Sequence, residues 1–485
     1  MGLLQIVLIS LATAMVAGWG NFQSYNLEER DLDFRDVDLN KLVSKLPLEQ
    51  QKTVNGSILY DPNWESLDAR PLPSWYDEAK IGIFIHWGVF SVPAVRTEWF
   101  WNVWKRGNSN ECEMYVLNNF KPNFTYQEFA PDFTAEFYDP FAWANLFARS
   151  GAKYVVLTSK HHEGYTLWPS RYSWSWNSMD VGSKRDLLGD LATAIRENTT
   201  LKFGLYHSLY EWYNPQWMRD FANNFTTTEF VDNKITPSLY ELVNTYEPEI
   251  FWSDGEWDAP SEYWHAQEFL AWLYNTSPVK DTVVTNDRWG GDTLCKHGGY
   301  YTCADRYNPG VLQPHKWENC MTLDKSWGYR KNANIEDYMT PEKLIQTIVE
   351  SVSCGGNVLV NVGPTKEGII SPVQQERLLQ MGEWLGINGE AIYESVPWLY
   401  QNDTVTPDVW YTTNKNETKV YAVLINWSQE VNLGAVEMQT VSAVRMLGAE
   451  GMLLWSGAEV GINVILPALD KVDSKWAWTL VIEKV

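Results

Sequence analysis

The stretch Ile81-Gly82-Ile83-Phe84-Ile85-His86-Trp87-Gly88 decides how the chain is read. Its apolar, uncharged run is long enough for a buried strand and too short for a helix. The run stops abruptly at an imidazole, an indole and a glycine. The same form, an apolar run closing on polar or aromatic residues, recurs at Tyr154–Thr158, Phe203–Leu205, Ile250–Trp252, Val283–Thr285 and Val358–Val362. Helical patterns lie between these runs, at Pro140–Ser150, Leu187–Glu197, Ser238–Tyr246, Glu268–Tyr274, Pro341–Val352 and Val373–Leu385. Asp139-Pro140 and Thr340-Pro341 are helix starts, and Gly151 and Gly386 are expected stops. Strands alternating with helices predict parallel βα units. Over residues 74–395 they predict an α/β architecture: a (β/α)8-like TIM barrel, complete or degenerate. A doubly wound sheet is the rival, but its glycine fingerprint is absent where Ile85 leads into His86-Trp87-Gly88.

The flanks have a different texture. Met1–Ala17 is apolar and uncharged and ends in small residues, so residues 1–18 are expected to be a secretory signal peptide. Residues 19–73 are charged and mixed, an expected lead-in arm without a core of its own. Residues 396–485 alternate strand-like runs with turn residues and show no helical pattern, which predicts a C-terminal β-sandwich. No later run reaches the 18 apolar residues a membrane span requires, so no membrane association is expected.

Composition narrows the partners. The 485 residues carry 38 basic and 61 acidic side chains, a net charge of −23, which repels phosphate backbones and disfavours nucleic acid. A 45 % hydrophobic fraction excludes global disorder. Sequons at Asn55, Asn123, Asn198, Asn224, Asn275, Asn402, Asn416 and Asn426 favour a glycoprotein of the secretory route, bound for the lysosome or the extracellular space. Of the five cysteines, Cys295 and Cys303 are near enough in sequence to bridge, and an odd count leaves at least one thiol over. Cys and His show no metal-ligand spacing, so neither a metal nor a cofactor is expected.

In a barrel, chemistry sits at the C-terminal ends of the strands. Four of the seven histidines fall there: His86, His161, His162 and His207. They are joined by Glu163, Tyr206, Asp254 and the run Asn286-Asp287-Arg288-Trp289. Carboxylates, imidazoles and a guanidinium beside indoles suit a sugar, which offers hydroxyls on its edges and C–H groups on its faces. Nucleophile elbows, phosphate loops and metalloprotease motifs are absent.

Several of these stretches resemble the α-L-fucosidases of glycoside hydrolase family 29, animal lysosomal or tissue type. They are Trp75 to Gly88, Glu98-Trp99, Ala152 to Gly164, Phe203 to Tyr206, Trp252-Ser253-Asp254-Gly255, Asn286 to Trp289 and Gly356 to Pro364. The resemblance implies a retaining exo-glycosidase acting on fucosylated glycans, with Asp254 as nucleophile and a C-terminal β-sandwich. It implies fucose contacts from His86, Glu98, Trp99, His161, His162, Tyr206, Trp252 and Arg288. For the general acid/base it suggests Glu318 first, in Lys316-Trp317-Glu318-Asn319-Cys320, with Asp305 as rival. The tryptophans Trp87, Trp99, Trp252, Trp289 and Trp317 are expected at or beside the site. Family members often assemble, so a homo-oligomer is a further expectation. Two alternatives stay open: a non-catalytic fucose-binding protein on the same fold, which would have been free to lose Asp254, and a retaining barrel glycosidase for another sugar.

Overall fold

The computed structural model describes residues 53, 54 and 57–485. The expected signal peptide, most of the lead-in arm and Asn55 lie outside the described residues. Each apolar run becomes a strand, and the strands line up in parallel because helical segments return the chain to the same end each time. Strands β1 (Ile81–Ile85), β2 (Tyr154–Lys160), β3 (Lys202–Ser208), β4 (Ile250–Asp254), β5 (Val284–Thr285), β6 (Trp317–Thr322) and β7 (Gly356–Val362) form one parallel sheet. Their order is β5-β4-β3-β2-β1-β7-β6. Strand β6 has no counterpart among the expected runs, because Trp317-Glu318-Asn319-Cys320 has two polar residues at its centre and no aliphatic run.

Seven strands curl but do not close by ladder alone. Between the edges β5 and β6 lies the pair Tyr300-Tyr301. The Tyr300 amide donates to the Thr285 carbonyl, the Tyr301 amide donates to Lys316, and the Glu318 amide donates back to Tyr301. Two residues thus stand where a barrel would have another strand. The sequence-derived eightfold barrel is therefore degenerate at this position.

Helices Pro140–Arg149, Leu187–Asn198, Thr236–Tyr246, Ala266–Asn275, Pro341–Ser353 and Pro372–Asn388 cover the sheet. Asp139 caps the first by accepting from Phe141 and Ala142, and Thr340 caps the fifth by accepting from Lys343. Gly386 does not end the last helix, which continues to Asn388. A glycine ends a helix most readily with φ > 0, and Gly386 is not among the glycines in that conformation. Among the described residues no helix is long and apolar enough to cross a membrane.

After Val396 the chain forms a five-stranded and a three-stranded antiparallel sheet. Their facing sides bury Tyr411, Ala422, Leu433, Val444, Ile462 and Leu480 in one cluster. Buried hydrogen bonds join this unit to the last helix: Trp384 Nε1 to the Ala477 carbonyl, and Thr479 Oγ1 to Asn388.

The sheet's concave side needs room for large rings, and glycine provides it. A Cβ on Gly82 would lie 2.2 Å from the Tyr154 ring. That ring cannot retreat, because its hydroxyl is bound to Glu318 at 2.7 Å. Gly82→Ala is therefore expected to destabilise the fold by about 1–3 kcal/mol, the usual cost of overpacking. Denaturant unfolding measures this, and an unchanged midpoint would show that the ring is free to move.

Candidate active site

The strand ends converge on a cavity of about 320 Å3 lined by Phe84, His86, Glu98, Trp99, His161, His162, Tyr206, Trp252, Asp254, Trp257, Arg288, Asp305, Cys320 and Trp327. The expected nucleophile, every expected fucose contact and Asp305 are in this lining; Glu318, Trp87, Trp289 and Trp317 are not. Phe84, Trp257, Cys320 and Trp327 were not foreseen. Phe84 reads as a core strand residue, Cys320 falls in a stretch where no strand is expected, and Trp257 and Trp327 lie in loops whose path the sequence does not give.

Arg288 is the hub. Its Nη1 donates to Asp254 Oδ1 at 3.0 Å, its Nη2 to Asp305 Oδ1 at 2.7 Å, and its Nε to Thr302 Oγ1 at 2.9 Å. The guanidinium also lies 4.7 Å from the centre of the Trp252 ring. Asp254 Oδ2 accepts from the Tyr206 hydroxyl at 2.7 Å, and His162 Nε2 stands 3.6 Å from the same oxygen. Asp254 is thus a fixed carboxylate at the end of β4. Asp305 is different, with its side chain 46 % exposed at the cavity mouth.

Behind Arg288, a second carboxylate fixes the loop. Asp287 accepts from the amides of Cys295, Thr302 and Cys303 and from the Thr302 hydroxyl. The Cys295–Cys303 disulfide closes this loop two residues before Asp305. The remaining thiols, Cys112, Cys320 and Cys354, are buried.

The opposite wall is built from imidazoles kept neutral. Burial, helped by the neighbouring His161, pushes His86 down to about 3, and its Nδ1 meets Asn361 at 2.7 Å. Burial also carries His162 well below the usual histidine range, with Nδ1 against Ser208 at 2.7 Å. Burial alone would raise Glu98, but the nearby His161 and a hydrogen bond from Ser326 hold it below the usual range. The Trp327 and Gly328 amides donate to the same Glu98 oxygen. The two adjacent histidines both reach the cavity because the ladder between β2 and β3 shifts register at Thr158/Lys160, bending the strand end.

Glu318 lies elsewhere. It is fully buried on β6, where it accepts from Tyr76 Oη (2.7 Å), Tyr154 Oη (2.7 Å) and Trp252 Nε1 (3.0 Å). Burial pushes its carboxyl up despite these donors. It holds the Trp252 indole from beneath and has no face on the cavity. The tryptophans divide differently from the expectation as well. Trp99 and Trp252 line the cavity, whereas Trp87, Trp289 and Trp317 are buried core.

Carboxylates on two arms of one guanidinium, in an aromatic-walled cavity at the C-terminal ends of parallel strands, define a barrel glycoside hydrolase. Residues 47–390 match the family model described as alpha-L-fucosidase, and residues 401–483 match the alpha-L-fucosidase C-terminal domain. The chain is 55 % identical over 433 residues to human plasma alpha-L-fucosidase, covering 88 % of this chain and 93 % of that one. It is 50 % identical over 427 residues to human tissue alpha-L-fucosidase, covering 87 % and 91 %. The crystal structure of Thermotoga maritima alpha-fucosidase in complex with fucose superposes with a TM-score of 0.76 at 33 % identity, over 87 % of this chain and all (100 %) of that one. The chain belongs to the alpha-L-fucosidase family.

Two outcomes test the electrostatics. Asp287→Ala leaves several buried donors without an acceptor, and is expected to cost about 1.5–3 kcal/mol or more in denaturant unfolding. Glu256 stands two residues beyond Asp254, outside the cavity lining; burial and then the Asp254 charge push it up to about 8. A carboxyl raised on folding stabilises below its unfolded pKa of about 4.3 and loses that contribution as pH climbs toward the folded value. Glu256→Gln should therefore raise the melting temperature relative to wild type more at pH 8 than at pH 4.5. Equal shifts at both would show that Glu256 does not titrate in this window.

Proposed function

We propose that the protein hydrolyses terminal α-L-fucose from glycoconjugates with retention of configuration, through a fucosyl-enzyme at Asp254. The observation that carries this is the Arg288 bridge between Asp254 and Asp305 inside the aromatic cavity. Both carboxylates are held on one guanidinium and line one cavity, the pairing a double-displacement mechanism uses. Membership of the alpha-L-fucosidase family supports the choice of sugar.

Asp254 is buried and aimed by Arg288, Tyr206 and His162, which suits in-line attack on the anomeric carbon. Glu98, His161 and the neutral His86 and His162 meet the ring hydroxyls, and Trp252 with Phe84 and Trp327 offers an apolar surface for the C5 methyl group. Asp305 is the acid/base. Of the three carboxylates in the cavity lining, Glu98 is buried with its Oε2 taken by Ser326, Trp327 and Gly328, and Asp254 is the nucleophile. Asp305 also has the exposure that proton exchange with solvent requires. It gives its proton to the leaving oxygen, then takes one from the water that cleaves the fucosyl ester. The secretory route to the lysosome or the cell exterior is the destination we infer, in keeping with the plasma and tissue relatives. Glu318 acts instead as a support for Trp252.

The test is a comparison of variants on an aryl α-L-fucoside. Asp254→Gly should lose about 10³-fold or more in kcat. Asp305→Gly should regain rate with azide, whereas Glu318→Gln, keeping the shape of its site, should retain a larger share of activity than Asp305→Asn. Azide rescue of Glu318→Gly without rescue of Asp305→Gly would reverse the assignment.

A further inference from the structure

A second, larger cavity of about 570 Å3 opens beside the first, formed by the loops after β2 and β3. The two share a wall. Trp99 lines one and Trp101 the other, and His162 lines one while the next residue, Glu163, lines the other. His161 Nδ1 lies 3.5 Å from Glu163 Oε2 across that wall.

The charged side chains in the lining of the second cavity balance, Glu163 and Glu211 against Arg171 and Lys234. Lys234 reaches Glu211 Oε1 at 3.1 Å, with Lys160 behind it at 3.0 Å, and Asn214 donates to Glu211 Oε2 at 2.8 Å. A lining with equal numbers of acidic and basic groups suits a neutral ligand. The lip is aromatic. Trp174 is 79 % exposed, and among the described residues its indole neither stacks on another ring nor donates a hydrogen bond. Exposing so large an apolar ring is unfavourable, yet the loop holds it there. Ser175 sits at φ +62, which a non-glycine residue rarely adopts, and its amide donates to Asp180 at 2.7 Å. Trp176 Nε1 binds the Glu163 carbonyl at 2.9 Å, and Lys234 binds the Ser173 hydroxyl at 2.8 Å. Strained residues held by surrounding contacts gather at ligand sites.

We propose that this cavity is a second carbohydrate site, which holds a neutral arm of the glycan whose fucose occupies the first. The flat face of Trp174 suits the C–H side of a hexose, and the amides of Gln127 and Asn233 in the lining suit its hydroxyls. The identity of the ligand rests on the fucosidase reading, but the existence of the site does not.

Saturation-transfer NMR with a neutral, fucose-free biantennary glycan tests the site directly. Glycan signals should persist when excess free fucose fills the first cavity, and should vanish in Trp174→Ala. Asn233→Ala serves as a second variant should the first fail to fold. Displacement of the glycan by fucose, or unchanged binding by Trp174→Ala, would overturn the proposal. Kinetically, Trp174→Ala should lower kcat/KM on a fucosylated biantennary glycan roughly five- to tenfold, with an aryl fucoside unaffected. Equal loss on both substrates also counts against the site. Failure to cleave the aryl fucoside at all would instead refute the fucosidase reading and leave glycan binding standing.

Discussion

One guanidinium governs the active site. Arg288 is buried, and a buried cation without partners would be costly, so the surrounding chain must supply acceptors. It does so from three directions: Asp254 at a strand end, Thr302 in the disulfide-closed loop and Asp305 just beyond it. The face of Trp252 shields it. Each partner is then fixed in turn. Tyr206 holds Asp254, Asp287 holds Thr302, and Glu318 holds Trp252. The precision with which Asp254 and Asp305 face the same space follows from a single charge that must be satisfied.

The fold serves this arrangement through its departure from regularity. A full barrel strand between β5 and β6 would leave little slack for the loop from Arg288 to Asp305. The two-residue pairing at Tyr300-Tyr301 closes the sheet while leaving the flanking residues free to form the Asp287 cradle and the disulfide. The same economy explains the buried carboxylate of Glu318. It sits on β6 where the sheet's interior is crowded with Tyr76, Tyr154 and Trp252, and it satisfies three donors that would otherwise be buried unpaired.

Glycan attachment has a parallel logic. Six of the sequons, at Asn123, Asn198, Asn224, Asn402, Asn416 and Asn426, are exposed. Asn275 is half-buried and uses both ends of its amide on the backbone of Tyr60, at 2.8 Å each, so its nitrogen is engaged in the fold.

Most of the site was legible in the sequence because its residues stand directly after apolar runs. His86, His161, His162, Tyr206 and Asp254 are fixed to strand ends, where strand position alone sets their direction. The resemblance of the surrounding stretches to a family then named the remainder of the pocket. What the sequence could not decide was which carboxylate faces the cavity. Glu318 and Asp305 are 13 positions apart, and both have a basic residue close by, Lys316 and Arg306. Only tertiary packing turns one into a buried strand residue holding Trp252 and leaves the other at the mouth. The tryptophans show the same division: position along the chain placed five near the site, but burial against neighbouring elements put Trp87, Trp289 and Trp317 in the core. Local pattern determines secondary structure and strand ends. Exposure, charge pairing and access to solvent depend on what lies on the far side of a residue, and that is set by segments hundreds of positions away.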